Sequence, residues 1–224
     1  MIQAKQKSTK PVERVLLKER AYQELKDLIQ TGVFTPHESL SERQLAERLQ
    51  MSKTPIRAAL ENLEMQGLVT VSPQKGILVR ELSARETNEL FEVRLAVEPY
   101  IAKQLVKCAW TSHQKEALDE NLRRQLAAAK SEDALVATKL DIEFHRMLAS
   151  VLDNREVALL LERCFDKLHR SLLYINRSVP GRLLKSQRDH VAIVAAIRKG
   201  NATTSANSMV DHLNYGRQFL LGGK

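Results

Sequence analysis

The sequence predicts a mainly α-helical chain of two domains: a small helical unit closed by a β-hairpin, then a larger all-α antiparallel helical bundle. Three observations carry that prediction. Helix-forming Ala, Leu, Arg, Lys and Glu dominate the 224 residues, whereas Gly (8), Pro (6) and aromatic residues (4%) are scarce. Apolar residues recur at helical spacing along most of the chain, while strand-like alternation marks the short stretch "LVTVSPQKGILV". With 43% apolar residues, a chain of this length has enough material for two cores.

The opening "MIQAKQKSTK" lacks the apolar core of a secretory signal, and residues 1–14 read as a disordered basic arm. No apolar run approaches the roughly 18 residues of a membrane span. Two cysteines, Cys108 and Cys164, stand without Cys-x-x-Cys spacing, so neither a disulfide framework nor a cysteine zinc site is indicated. A reducing, cytoplasmic location is expected. The net charge of +8 fits an anionic partner such as nucleic acid, but it is spread over both halves, so local placement has to identify the binding surface.

Residues 15–82 form the first expected domain. From Leu16 to Gln30, Leu17, Ala21, Leu25, Leu28 and Ile29 lie at helical spacing, and Thr31-Gly32 supplies a stop. After the turn-like "TPHES", Ser41 and Gln44 have capping-box spacing at the start of "SERQLAERL". Two residues, "QM", separate this short helix from "SKTPIRAALENLEMQG". Ser52 is the expected N-cap there, Pro55 is tolerated in the first turn, and Gly67 ends the helix. Two helices so joined make a helix-turn-helix. Lys53 and Arg57 share a face near the N-terminus of the second helix, and that face turns acidic at Glu61 and Glu64, so only its first turns suit a DNA groove. "LVTV", "SPQKG" and "ILVR" then read as a hairpin, the position of a wing. Its turn pairs Lys75 with the flexible Gly76, where backbone can approach DNA closely.

Residues 83–224 form the second domain, built of successive helices. "SARE" opens a long one with capping-box form, in which Pro99 should kink or divide the helix. Further helices are expected over "TSHQKEALDENLRRQLAAA" and "SEDALVATKLDIEFHRMLASVL", then from an Asn154 cap to about Ile175, from Pro180 to Gly200, and from Asn201 to about Leu220. In "DIEFHRML", Asp141 and His145 sit four residues apart on one face of an otherwise apolar stretch. Burying two such groups is costly unless something satisfies them. His190 in "RDHVAIVAAI" and His212 in "MVDHLNYG" have similarly apolar neighbours, and a bundle can bring such side chains together. Three neutral imidazoles and a carboxylate suit zinc, nickel or manganese. The alternative is a hydrogen-bonded Asp141–His145 pair with two ordinary core histidines.

The stretch "SERQLAERLQMSKTPIRAALENLEMQGLV" resembles the signature of the GntR family of bacterial transcription regulators. The helical second domain resembles the FadR-like (FCD) branch, with its all-helical ligand-sensing and dimerisation domain. The resemblance covers nearly the whole chain. It implies that Arg43 and Arg57 contact operator DNA, that Lys53 and Thr54 are recognition-helix contacts, and that Gly76 is the wing glycine. Lys75 stands where an arginine is usual, and lysine lacks the bidentate fork. Asp-x-x-x-His on one helix and single histidines on two later helices match the branch's metal-binding subgroup, which implies Asp141, His145, His190 and His212 as ligands. Arg94 resembles a branch arginine near the effector cavity, although pairing with Glu98 at i+4 would also explain it. Asn154 reads as a helix cap, and Arg170 and Arg177 are weaker pocket candidates.

The expected function is a ligand-responsive repressor, binding a palindromic operator as a homodimer and sensing a small organic acid through a metal-containing helical domain. Two rival classes are a metal-dependent hydrolase carrying a DNA-binding domain and a weakly specific architectural DNA binder. The first lacks an evident general base beyond the four candidate ligands.

Overall fold

The computed structural model describes residues 11–36, 38–72 and 76–221. The chain divides into two compact units, residues 1–81 and 82–224.

The first unit opens with α1 (Pro11–Gln30), which begins four residues inside the segment expected to be a disordered arm. Residues 1–10 of that arm lie outside the described residues. Proline at the first helical position suits it, because the missing N–H has no intrahelical acceptor there. Ala21, Leu25 and Ile29 give α1 its buried stripe. Next come β1 (Ser39–Leu40), α2 (Glu42–Leu49) and α3 (Lys53–Met65), then β2 (Val69–Ser72) and β3 (Gly76–Val79). Ser41 and Gln44 form the reciprocal capping box. Gln50 closes α2 in the left-handed region (φ 52°), and the Met51 N–H donates to Ala46 O. Ser52 occupies the N-cap position of α3, yet its side chain makes no capping hydrogen bond. The core of the unit joins Leu45 and Leu49 of α2, Ile56, Ala59, Leu60 and Leu63 of α3, and Val69, Ile77 and Val79 of the sheet.

The sheet has three antiparallel strands in the order β1-β3-β2, one more than the hairpin. In β1, Ser39 pairs with Leu78 and Leu40 with Ile77. This strand gives Gly76 a reason internal to the fold. Gly76 has φ +75°, and a Cβ there would lie 2.7 Å from Leu40 O, so neither the backbone conformation nor the space admits a side chain.

The second unit holds α4 (Ala84–Leu105), α5 (Ser112–Lys130), α6 (Ala134–Val151), α7 (Arg155–Ser178), α8 (Arg182–Arg198) and α9 (Ala202–Leu220). Helix α4 packs on α9, α5 on α6 and α8, α6 on α7, and α8 on α9. Three-residue connections between packed neighbours such as α5 and α6 make them antiparallel. Ser83 forms a capping box with Glu86, while Asn154 and Asn201 cap α7 and α9. Pro99 lies inside α4 without dividing it, which corrects half of the expectation for that residue. Helix α7 continues to Ser178, and Pro180 belongs to the turn before α8, whose N-cap is Gly181 in the left-handed region (φ 72°). Among the described residues no helix is long and apolar enough to cross a membrane.

Candidate metal centre and DNA-binding surface

Helix α6 buries Leu140, Ile142, Phe144 and Leu148, and the same helix carries Asp141 and His145 into the bundle. Helices α8 and α9 bring His190 and His212 to them. Asp141 is 8% exposed and the three histidines 3% or less. One ligand atom from each of the four lies within 4.8 Å of all the others. His190 Nε2 is 3.2 Å from His212 Nε2 and 3.6 Å from Asp141 Oδ1, and His145 Nε2 is 4.0 Å from Asp141 Oδ2. A divalent ion held at about 2.1 Å by each atom spaces adjacent ligands roughly 3 to 3.5 Å apart, close to this arrangement.

Groups around the cluster orient each imidazole. Gln125 Nε2 donates to Asn121 Oδ1 at 2.6 Å, which leaves Gln125 Oε1 to accept from His190 Nδ1 at 2.8 Å. His190 Nε2 therefore carries the lone pair. His145 Nδ1 touches Glu98 Oε2, and its Nε2 lies 3.3 Å from Arg94 Nη2. A guanidinium can only donate, so Arg94 is placed to donate to His145 Nε2. His212 Nδ1 faces Asp189 Oδ2 at 3.6 Å, too long for a hydrogen bond but suited to orienting the ring. All three histidines thus turn Nε2 inward and Nδ1 toward an oxygen, the arrangement by which outer carboxylates and amides hold metal-binding imidazoles. Phe144 stacks on His190 with ring centroids 3.9 Å apart.

The electrostatics favour a cation at the centre. Burial pushes His190 well below its ordinary pKa and His212 down to about 4, so both are neutral near pH 7. Burial alone would raise the Asp141 carboxyl, but the imidazoles and Arg182 hold it below the usual carboxylate range. Glu98, likewise opposed by burial, is held at about 2 by Arg94 and His145. Two inward lone pairs facing each other at 3.2 Å, on His190 and His212, repel unless a cation lies between them. The other His212 tautomer relieves that contact only by turning an Nδ1 lone pair toward the Asp189 carboxylate. The donor set fits a divalent metal.

Arg94 makes the i+4 pairing that is one of its two sequence readings. It pairs with Glu98 as a 2%-exposed ion pair, and it also reaches His145 at the cluster. Sequence reasoning did not single out Gln125, Arg182, Ser186 or Asp189. Ser186 Oγ donates to Asp141 Oδ1 at 2.8 Å, and Arg182 is 3% exposed beside the Tyr215 ring. Their positions depend on packing between helices distant in sequence, although Ser186 and Asp189 lie close to His190 on α8. Asn154 acts as a cap, Arg170 is partly buried, and Arg177 is exposed.

In the first unit, Lys53, Thr54 and Arg57 are exposed on the first turns of α3, opposite the side that buries Ile56, Ala59 and Leu60. Arg57 Nε lies 2.8 and 2.9 Å from the two oxygens of Glu42 on α2. Arg43 is exposed on α2 and pairs with Glu47 at 3.3 Å. Gly76 begins β3, and Lys75 lies outside the described residues.

A helix-turn-helix with a β-hairpin wing, continuous in sequence with an all-helical unit enclosing a polar cluster, defines a DNA-binding transcription regulator with a ligand-sensing domain. The family comparisons give the same class. The model described as "Bacterial regulatory proteins, gntR family" matches residues 17–79, and the FCD domain model matches residues 89–215. The chain belongs to the GntR family of transcription regulators, in the FadR-like branch that carries an FCD domain. It is 28% identical over 201 residues to the HTH-type transcriptional regulator YdhC of Bacillus subtilis (strain 168), covering 89% of this chain and 88% of that one. It is 27% identical over 184 residues to the HTH-type transcriptional repressor RspR of Escherichia coli (strain K12), covering 81% and 78%. The structure of E. coli McbR/YncC shares the fold, with a TM-score of 0.81 at 20% identity over 91% of this chain and 96% of that one. These relationships identify a regulator, not an enzyme.

Proposed function

We propose that the protein is a cytoplasmic homodimeric repressor that binds a palindromic operator and releases it in response to a small carboxylic acid sensed at a metal centre. The metal is zinc, nickel or manganese, held by Asp141, His145, His190 and His212. The observation that carries this reading is the convergence of four buried ligand atoms, one each from Asp141, His145, His190 and His212, within 4.8 Å of one another. When bound, the ion supplies positive charge and coordination positions open to a carboxylate oxygen.

The remaining roles belong to the chain itself. Glu98, Gln125 and Asp189 orient the imidazoles, and Arg94, held by Glu98 at the edge of the cluster, donates to the anionic ligand. Arg57, Lys53, Thr54 and Arg43 contact the operator from the helix-turn-helix, and Lys75 with Gly76 contacts it from the wing. Arg94 and Glu98 sit on α4, which is separated from the end of β3 by four residues, so repacking around them has a short covalent route to the wing. Such a response requires the effector to bind the DNA-competent and released states unequally.

Elemental analysis of untagged protein purified without chelator, beside a His145→Ala/His190→Ala variant, tests the centre. About one metal per chain in the parent, lost in the variant, is expected; no metal after reconstitution with all three ions overturns the reading. A competition titration tests the DNA side. The parent is expected to prefer its operator over random DNA by roughly a thousandfold, and Arg57→Ala to lose that discrimination while remaining folded. Equal binding of both DNAs by the parent would make the protein an architectural binder.

A further inference from the structure

The charged groups around the cluster balance one another before any ion is added. Glu98, Asp141 and Asp189 are matched by Arg94, Arg182 and Lys185, and burial keeps His190 and His212 between them neutral. A divalent ion adds two positive charges to a buried centre, and such charge is costly to bury unless anions accompany it. A monocarboxylate covers only one of them.

Arg182 shows where a second anionic group would go. It is 3% exposed, yet neither Nε nor Nη1 has a hydrogen-bond partner among the described residues. The other cations of the site are already assigned: Arg94 pairs with Glu98 and serves the carboxylate at the ion, and Lys185, one turn further along α8, pairs with Asp189 at 2.5 Å. The Arg182 guanidinium lies over the Tyr215 ring, 5.1 Å from its centroid, and close enough to Asp141 to act on its charge. Room for it is left by Gly216, where a Cβ would stand 3.1 Å from Arg182 Nη2. A buried guanidinium with free donors is expensive to maintain, and an anionic oxygen can accept from Nε or from Nη1. The cavity beside Asp141, lined by Gln125, Ala137, Asn176, Leu183 and Ser186, has room for about one water molecule, so a ligand enters there only by displacing side chains, which favours a short one.

We infer that Arg182 is a specificity residue of the effector site and that the effector is a short dicarboxylate, one carboxylate completing the ion's coordination and the other bound by Arg182. The inference rests on the proposed metal centre and adds the ligand class and the residue that selects it.

Calorimetric titration of the full-length, zinc-loaded protein with malonate and succinate, against acetate and propionate, tests it. Zinc content is measured on every sample. The parent is expected to bind at least one dicarboxylate roughly 10- to 100-fold more tightly than the monocarboxylates. Arg182→Gln should keep its zinc and its monocarboxylate affinity and lose the difference. Gly216→Ala keeps the charge but crowds Nη2, and should reduce the difference while retaining zinc; it serves as the test if Arg182→Gln does not fold. A parent without preference for dicarboxylates, or a preference that survives in the folded variants, overturns the inference. If the parent takes up no zinc, the metal reading fails separately. Succinate binding to the metal-free parent that Arg182→Gln abolishes then upholds the role of Arg182, and binding that is absent or survives in the variant overturns it.

Discussion

Two arginine–glutamate pairs place the same chemical groups in opposite surroundings. Arg57–Glu42 joins α3 to α2 with side chains 63% and 32% exposed, whereas Arg94–Glu98 lies inside the helical unit with both side chains 2% exposed. In water the exposed pair gains little, because solvent competes for each charge, and a phosphate can replace either partner cheaply. The buried pair has no such alternative. Each member holds the other, and Glu98 also holds His145. The comparison separates the two proposed sites in this chain: the one proposed to face DNA keeps its charges exchangeable, and the one proposed to sense the effector fixes its groups in advance.

Breaking the buried pair should give the largest effect. Glu98→Ala leaves the Arg94 charge without its carboxylate and His145 without its Nδ1 partner. The expected loss is about 3 to 5 kcal/mol in chemical denaturation, with weakened metal retention beside it. A loss under about 1 kcal/mol would place this pair with the exposed one and remove the contrast.

Acid should act next, on metal-free protein. The folded His212 pKa, lowered to about 4 by burial, lies below its unfolded value near 6.5, so the unfolded chain takes up a proton first as the pH falls. Stability due to this group is complete above about pH 6.5 and is lost as the pH drops through 4, by roughly 3 kcal/mol. Thermal melts of chelator-treated protein between about pH 7.5 and 4 should show the decline, reduced in His212→Gln. A flat profile would mean that His212 is not held neutral by its surroundings.

A backbone effect of intermediate size belongs to the first unit. Gly76→Ala must place a methyl 2.7 Å from Leu40 O at φ +75°, and should cost about 1 to 3 kcal/mol by loosening β1 from β3. An equal stability with reduced DNA affinity would instead place the importance of Gly76 at the DNA.

The regions also differ in how far their residues are legible from sequence. Capping signals act within four residues, so Ser41 with Gln44 and Ser83 with Glu86 could be read directly. Ser52 shows the limit, since its type and position are right but its side chain makes no cap. Strand β1 escaped because two residues carry no alternation, and its existence depends on β3, nearly forty positions later. At the cluster, Asp141 and His145 stood out as polar groups on an apolar face, and family resemblance added weight to His190 and His212. Gln125 and Arg182 look like solvent-facing residues in an amphipathic helix. Only the packing of α5 and α8 against their neighbours buries them and gives them a role.

The smallest stability effect should come from the exposed pair, where it carries the most functional information. Glu42→Ala removes the carboxylate that occupies Arg57, and folding stability should change by less than about 1 kcal/mol. DNA affinity should rise, because Arg57 no longer has to leave a partner before meeting phosphate or a base and because one negative charge leaves the surface. The gain should be similar on operator and random DNA if Glu42 acts only by charge, and larger on operator if freeing Arg57 matters for reading bases. Titrations at two salt concentrations separate these cases, since the charge contribution shrinks with added salt and a base contact persists. Unchanged or weakened affinity would mean that Glu42 positions Arg57 for the operator, and the exposed pair would then be preorganised in the same sense as the buried one.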